Sequence, residues 1–175
     1  MMCEKLDWYN ITCIFEERWS ITMKKETEVG TLEFVQGKYN GNFIGKKTIH
    51  LFSRDYEIRL RFDVFHEGVE GLTDEMVKAA KACLDLFAGS TDEIEKKIKE
   101  HYDMEVVPII EDRDEYIEID SIAQIAQMLR PKELYVTSFC IGLYFECDWD
   151  EEEGFGIRFE MNGDIKEMGA GDVVY

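Results

Sequence analysis

No apolar run in this 175-residue sequence approaches the ~20 residues that a membrane helix requires. Met1–Tyr9 is charged and lacks an apolar core, so no signal peptide is visible. The Asn10-Ile11-Thr12 sequon therefore carries no meaning. Cys3, Cys13, Cys83, Cys140 and Cys147 are odd in number, and no two have C-x-x-C spacing. That argues against a disulfide framework or a zinc site and for thiols buried as small apolar groups. These absences point to a cytoplasmic protein.

Catalytic motifs are missing too. His50, His66 and His101 are widely spaced, with no H-E-x-x-H pairing. There is no G-x-S-x-G, no Walker loop and no G-x-G-x-x-G. Gly37, Gly41 and Gly45 are spaced as turns, without a following helix to hold phosphate. The expectation is a non-enzyme with no cofactor and no catalytic residue. Basic residues are also scarce: 20 Lys and Arg stand against 38 Asp and Glu, for a net charge of −18. Such a field repels nucleic acid and anionic membranes and favours cations or a basic partner protein. It also keeps a protein soluble without any partner.

What is present suffices for a core. Apolar residues make up 45% and aromatics 13%. A chain of this length buries about 70% of its unfolded surface and needs no staple. No internal repeat occurs. The hydrophobic period divides the chain into three stretches, giving an α+β fold. N-terminal antiparallel strands come first, two to three central helices follow, and an antiparallel β-meander closes the chain. An N-terminal β lobe over 1–66 and a C-terminal α+β lobe over 67–175 would form one domain.

In the first stretch, Ile58, Leu60, Phe62 and Val64 alternate with Glu57, Arg59, Arg61 and Asp63, which places one set in the core. Tyr9, Ile11, Cys13 and Phe15 form a similar set, as do Trp19, Ile21 and Met23. Thr31–Gln36 and Lys47–Phe52 complete the strands, with turn chemistry at Gly37–Gly41. In the second, Thr73 caps a helix whose stripe is Met76, Val77, Ala80, Cys83, Leu84 and Phe87, stopped by Gly89. Ser90-Thr91-Asp92-Glu93 has capping-box spacing and opens a second helix, with Glu93–Lys97 and Glu95–Lys99 as i,i+4 pairs. Pro108 and Glu111–Glu115 break the pattern. A short helix then carries Ile122, Ile125, Ala126 and Leu129 and ends before Pro131. In the third, strands begin at Leu134, Ile141 and Phe155, and Asn162-Gly163 signals a type I′ hairpin.

The most charged point lies at the start of that meander. Six of the eight residues from Glu146 to Glu153 are carboxylates, and none is basic. Asp148, Asp150, Glu151, Glu152 and Glu153 are the candidate partner-binding residues. Asp148, Asp150 and Glu152 have alternating ligand spacing, but Glu153 and Phe159 occupy the glycine and bidentate-glutamate positions of an EF-hand. No metal ligand is therefore assigned. Paired carboxylates can serve acid–base catalysis, but a solvated turn lacks the burial that shifts a pKa. Alternation from Cys147 points Trp149 to the core, and Arg158 is placed to meet Glu146 across the hairpin, a pair worth about 0.2–1 kcal/mol.

The run Phe145-Glu146-Cys147-Asp148-Trp149-Asp150, then Glu153-Gly154-Phe155-Gly156-Ile157-Arg158-Phe159, then Asn162-Gly163, Glu167, Gly169 and Asp172-Val173, resembles the C-terminal signature of an uncharacterised bacterial domain family. The helix opening Leu72-Thr73-Asp74-Glu75 after a β N-terminus is similar as well. The chain departs from that pattern at Glu151–Glu152 and at Met168. The resemblance implies a domain of unknown function, similar in size and style to the immunity proteins of toxin systems, with no catalytic residue to carry over. The expected function is a cytosolic binding protein that neutralises a basic toxin domain. The alternatives are a structural or regulatory accessory domain, or a divalent-metal module.

Overall fold

The computed structural model describes residues 11–12, 22–36, 41–64, 71–110 and 118–175. A two-residue strand, β1 (Ile11–Thr12), pairs antiparallel with β2 (Thr22–Thr27). From β2 the sheet continues in chain order through β3 (Gly30–Gln36), β4 (Gly41–Leu51), β5 (Arg54–Asp63), β6 (Leu129–Val136), β7 (Ile141–Cys147), β8 (Asp150–Phe159) and β9 (Ile165–Ala170). Every pairing is antiparallel except β5 with β6, which is parallel. The fold is therefore mixed α and β, dominated by strands, with its helices in the middle.

The parallel pair explains where the helices sit. Parallel neighbours need a long crossover and cannot be joined by a hairpin. Here the crossover holds α1 (Asp74–Leu86), α2 (Asp92–His101), a π-helical turn (Tyr102–Val106), α3 (Val107–Ile110) and α4 (Ile122–Met128). The Thr73 hydroxyl accepts from the Met76 N–H at 3.2 Å, and Met76, Val77, Ala80, Cys83 and Leu84 are buried, as the stripe predicts. Across the core they face Ile58, Leu60 and Phe62 of β5, Leu134 and Val136 of β6, and Ile141, Leu143 and Phe145 of β7. The Phe87 ring lies edge-on to Phe159 at 6.4 Å. Cys83, Cys140 and Cys147 are buried free thiols. Among the described residues, no helix is long and apolar enough to cross a membrane.

Several local expectations change. The capping box falls at Ser121 and Gln124, on α4, and not at Ser90–Glu93. Glu95 does not reach Lys99, which pairs with Asp103 at 2.5 Å. Glu95 instead accepts from the Thr91 hydroxyl at 2.6 Å and from the Phe52 N–H at 2.7 Å. Pro108 does not end the helical run, because a π turn precedes it. Proline lacks one i→i−4 donor and crowds the carbonyl four residues back, and the widened turn accommodates both. The last helix stops at Met128, and β6 already includes Leu129 and Pro131. Arg130 precedes a proline and is pushed out of the helical region. Pro131 lies before the β5 pairing starts at Glu133 and beside the irregularity in the β6–β7 register, a place where a strand tolerates proline. Asn162-Gly163 is not a type I′ turn. Gly163 alone has positive φ, in a loop closed by Gly163 N–H to Glu160 O at 2.9 Å and Glu160 N–H to Asp164 O at 2.8 Å. The sets Tyr9–Phe15 and Trp19–Met23 and the Gly37–Gly41 turn fall largely outside the described residues.

Positive φ at both central positions occurs instead at Phe52 (52°) and Ser53 (57°), between Leu51 and its partner Arg54. Neither residue is glycine, so the turn is strained and is held by Glu95 and by burial of Phe52. Ser53→Gly should stabilise the fold by about 0.5–1 kcal/mol, because left-handed backbone disfavours a Cβ. Glu95→Ala should destabilise it by about 1–3 kcal/mol, through the orphaned Phe52 N–H. Urea unfolding of both variants measures this pair of opposite signs. Among the described residues, the buried Tyr56 hydroxyl has no hydrogen-bond partner. Tyr56→Phe should therefore leave the melting temperature unchanged or raise it, by up to about 1 kcal/mol in stability.

Candidate functional site

Register decides the geometry of the acidic hairpin. Cys147 pairs with Asp150, so Asp148 and Trp149 form a tight turn. Pairing resumes only at Phe145 and Phe155, which leaves Glu151–Gly154 of β8 facing Glu146 alone. These four residues bulge from the ladder. Two features hold the bulge. The Asp150 carboxylate accepts from the Glu153 N–H at 3.0 Å. Gly154 has φ of 74°, and a Cβ there would run into the Phe145 carbonyl at 2.5 Å and the Tyr144 ring.

Trp149 faces the core, as its alternation predicts. Its ring meets Tyr102 edge-on at 5.2 Å and Phe155 at 5.8 Å. Phe145 and His101 each lie 5.5 Å from the Phe155 ring in tilted arrangements. The acidic bulge thus stands on an aromatic base that joins the π turn to β7 and β8.

The carboxylates divide into two groups. Asp148 is paired with Arg130 of β6 and anchored by its N–H to the Met128 carbonyl at 3.1 Å. Glu146 takes Lys132 at 2.9 Å and Arg130 Nε at 3.7 Å. These pairs are about half exposed, so each adds little stability. Glu151, Glu152 and Glu153 are exposed, and among the described residues the ion pairs of the hairpin stop short of them. The expected contact of Arg158 with Glu146 does not form. Arg158 pairs in register with Gly142 and Glu167, while β6 supplies the cations that reach Glu146. Among the described residues, no three His, Cys, Asp or Glu side chains gather where they could hold a metal ion.

A second polar cluster lies on the sheet face away from the helices, over the parallel seam. Arg59 and Arg61 flank Glu133 at 3.3 and 3.6 Å. The Arg61 guanidinium sits 5.2 Å above the Tyr135 ring. The Tyr135 hydroxyl donates to buried Asp63 at 3.1 Å, and Tyr175 packs edge-on against Tyr135 at 5.0 Å. Burial, with the Asp63 charge second, pushes the Tyr135 hydroxyl up to about 12, so it remains a donor at neutral pH. Alternation in the sequence places Arg59, Arg61 and Asp63 on one outward row but carries no signal for the cluster, because nothing local identifies β6 as the neighbouring strand. Beside it a 3-10 turn, Gly171–Val174, covers β7 and β8. A Cβ on Gly142 or Gly156 would collide with Val174, so only glycine admits this covering turn.

Burial also pushes the described thiols upward, Cys147 to about 11 and Cys83 and Cys140 in the same direction. They are therefore protonated at neutral pH. His101 is shifted the other way. Its burial favours the neutral ring and outweighs the opposing Glu105 charge. A folded-state pKa below the unfolded 6.5 leaves stability intact above that value and removes it as the pH falls through the folded pKa. His101→Phe keeps a ring on Phe155 without titrating. Its melting temperature relative to wild type should therefore rise as the pH falls below 6.5. A constant difference over that range would show that His101 does not couple folding to pH.

No curated protein and no solved structure matches the chain. A family described as a domain of unknown function, DUF6985, matches residues 28–175. That span runs from the β2–β3 turn through the crossover helices, the acidic bulge and the covering C-terminal turn. The chain belongs to the DUF6985 family of domains of unknown function.

Proposed function

We propose that the chain is a non-catalytic cytosolic binding protein that engages a basic partner protein. Asp150 shapes the docking surface, and Glu151, Glu152 and Glu153 present it. The observation that carries this reading is the division of charge in the hairpin. Neighbouring carboxylates are neutralised from β6, while three consecutive glutamates protrude on a held bulge without a counter-ion among the described residues. Like charges so placed repel one another, and a cationic partner relieves that repulsion. The net charge of −18 extends the same field over the surface and speeds encounter with a basic protein. An immunity protein acting on a bacterial toxin domain is the partner relationship that this chemistry and the family resemblance favour.

The triple variant Glu151→Lys, Glu152→Lys, Glu153→Lys tests the reading. Exposed side chains carry little folding energy, so its stability should stay within about 0.5 kcal/mol of wild type. A basic protein co-purified from the native cell should bind the variant at least tenfold more weakly. Its wild-type affinity should also fall as salt rises from about 0.05 to 0.5 M. Equal capture by both forms at low salt would leave an accessory domain without a charged partner as the better account.

A further inference from the structure

β9 ends the sheet. Its inner side pairs with β8, from Phe155 with Ala170 to Phe159 with Ile165, and one irregularity at Lys166, between the Arg158–Glu167 and Phe159–Ile165 pairs, brings Ile165 onto the same face as Met168. Among the described residues, no strand takes its outer side. A strand left this way offers a row of unpaired N–H and C=O groups to any extended chain. The side chains beside that row sort by chemistry. Ile165 and Met168 are half-buried at the rim of the core, whereas Lys166 and Glu167 are exposed. Along the segment Glu160, Asp164, Glu167 and Asp172 stand against Lys166, which Glu160 already binds at 3.1 Å. The acidic bulge lies at the far end of the same strand. Phe155 pairs with Ala170 just after the bulge, and Gly171 backs onto the Glu153 carbonyl.

We propose that an extended segment of the partner, alternating apolar and basic residues, adds to the outer side of β9 as a further strand. The proposal rests on the anionic docking reading and specifies its mode. Backbone hydrogen bonds to a free edge supply affinity, and the alternation of side chains supplies specificity. The apolar residues of the segment extend the layer formed by Ile165 and Met168. Its lysines or arginines fall on the opposite face beside Glu167, and at the end of the strand they meet Glu151–Glu153. The same charge pattern disfavours a second copy of this chain, which would bring carboxylates against carboxylates.

The test uses the full chain, isotope-labelled, with a capped octapeptide of alternating valine and lysine. Its control is the same peptide with every backbone amide methylated, which keeps the charge and removes the donors. The expected result is slowed amide exchange confined to β9, binding at least tenfold weaker for the methylated peptide, and a similar loss with Glu167→Lys. Equal binding of both peptides would overturn strand addition while leaving electrostatic docking in place. Protection outside β9, or dimerisation of the free chain through that edge, would overturn it as well. If neither peptide bound at low salt, strand addition and the anionic docking surface would fail together.

Discussion

Arg59, Leu60, Arg61 and Phe62 of β5 run parallel to Glu133, Leu134, Tyr135 and Val136 of β6, and this direction constrains the chain on both sides of the seam. Two antiparallel meanders, β2–β5 and β6–β9, could each close with hairpins alone. Joining them in parallel demands a connection that crosses the sheet, and the whole helical stretch is that connection. Strands in a parallel pair are ordinarily covered on both faces. On one face Leu60, Phe62, Leu134 and Val136 meet the helices. On the other, the Arg59–Glu133–Arg61 bridge and the Tyr135–Asp63 hydrogen bond keep the polar groups satisfied, with Tyr175 packed against Tyr135. The charged row therefore belongs to the architecture of the seam.

The same logic continues along β7 and β8. Helix α1 and the aromatic group around Phe155 fill one side. The turn Gly171–Val174 fills the other, close enough that Gly142 and Gly156 cannot carry a side chain. Val174 is fully buried, and the Cys140 thiol donates to its carbonyl at 3.6 Å. With both faces occupied, the hairpin has a firm base. Cys147, Trp149, Gly154 and Gly156, which mark the family resemblance, support that base. Fold, more than reactivity, accounts for why those residue types stand there.

Period-2 patterns were readable wherever one face meets the core and the other meets water. Arg54–Asp63, Ile141–Cys147 and the α1 stripe followed the sequence closely. Features that depend on distant partners were not readable. No local signal announces that β5 lies beside β6, so the seam cluster stayed hidden although Arg59, Arg61 and Asp63 were visibly on one row. Turn chemistry misled in both directions. Asn162-Gly163 suggested a two-residue turn that tertiary packing replaced with a longer loop, while Phe52-Ser53 adopts positive φ because Glu95, far along the chain, holds it. Pro131 did carry a usable signal. The steric effect of a proline on the residue before it favours extended Arg130, and so an earlier start for β6.

The acidic site was legible as a location but not as a distribution of charge. From sequence, Asp148 and Glu152 are equivalent members of one run. Register separates them. Asp148 and Glu146 lie where β6 places Arg130 and Lys132 alongside, so opposite charges meet across neighbouring strands. Glu151–Glu153 lie in a stretch of four residues that faces only one residue of β7, so among the described residues no strand offers them a cation at ladder spacing. A bulge exposes its residues for a steric reason, and the Asp150 and Gly154 devices fix that exposure in place. The anionic surface is thus produced by backbone geometry acting on an evenly acidic sequence. A shift of one residue in the β7–β8 register would move Glu152 or Glu153 into the ladder and change which carboxylates are left for a partner.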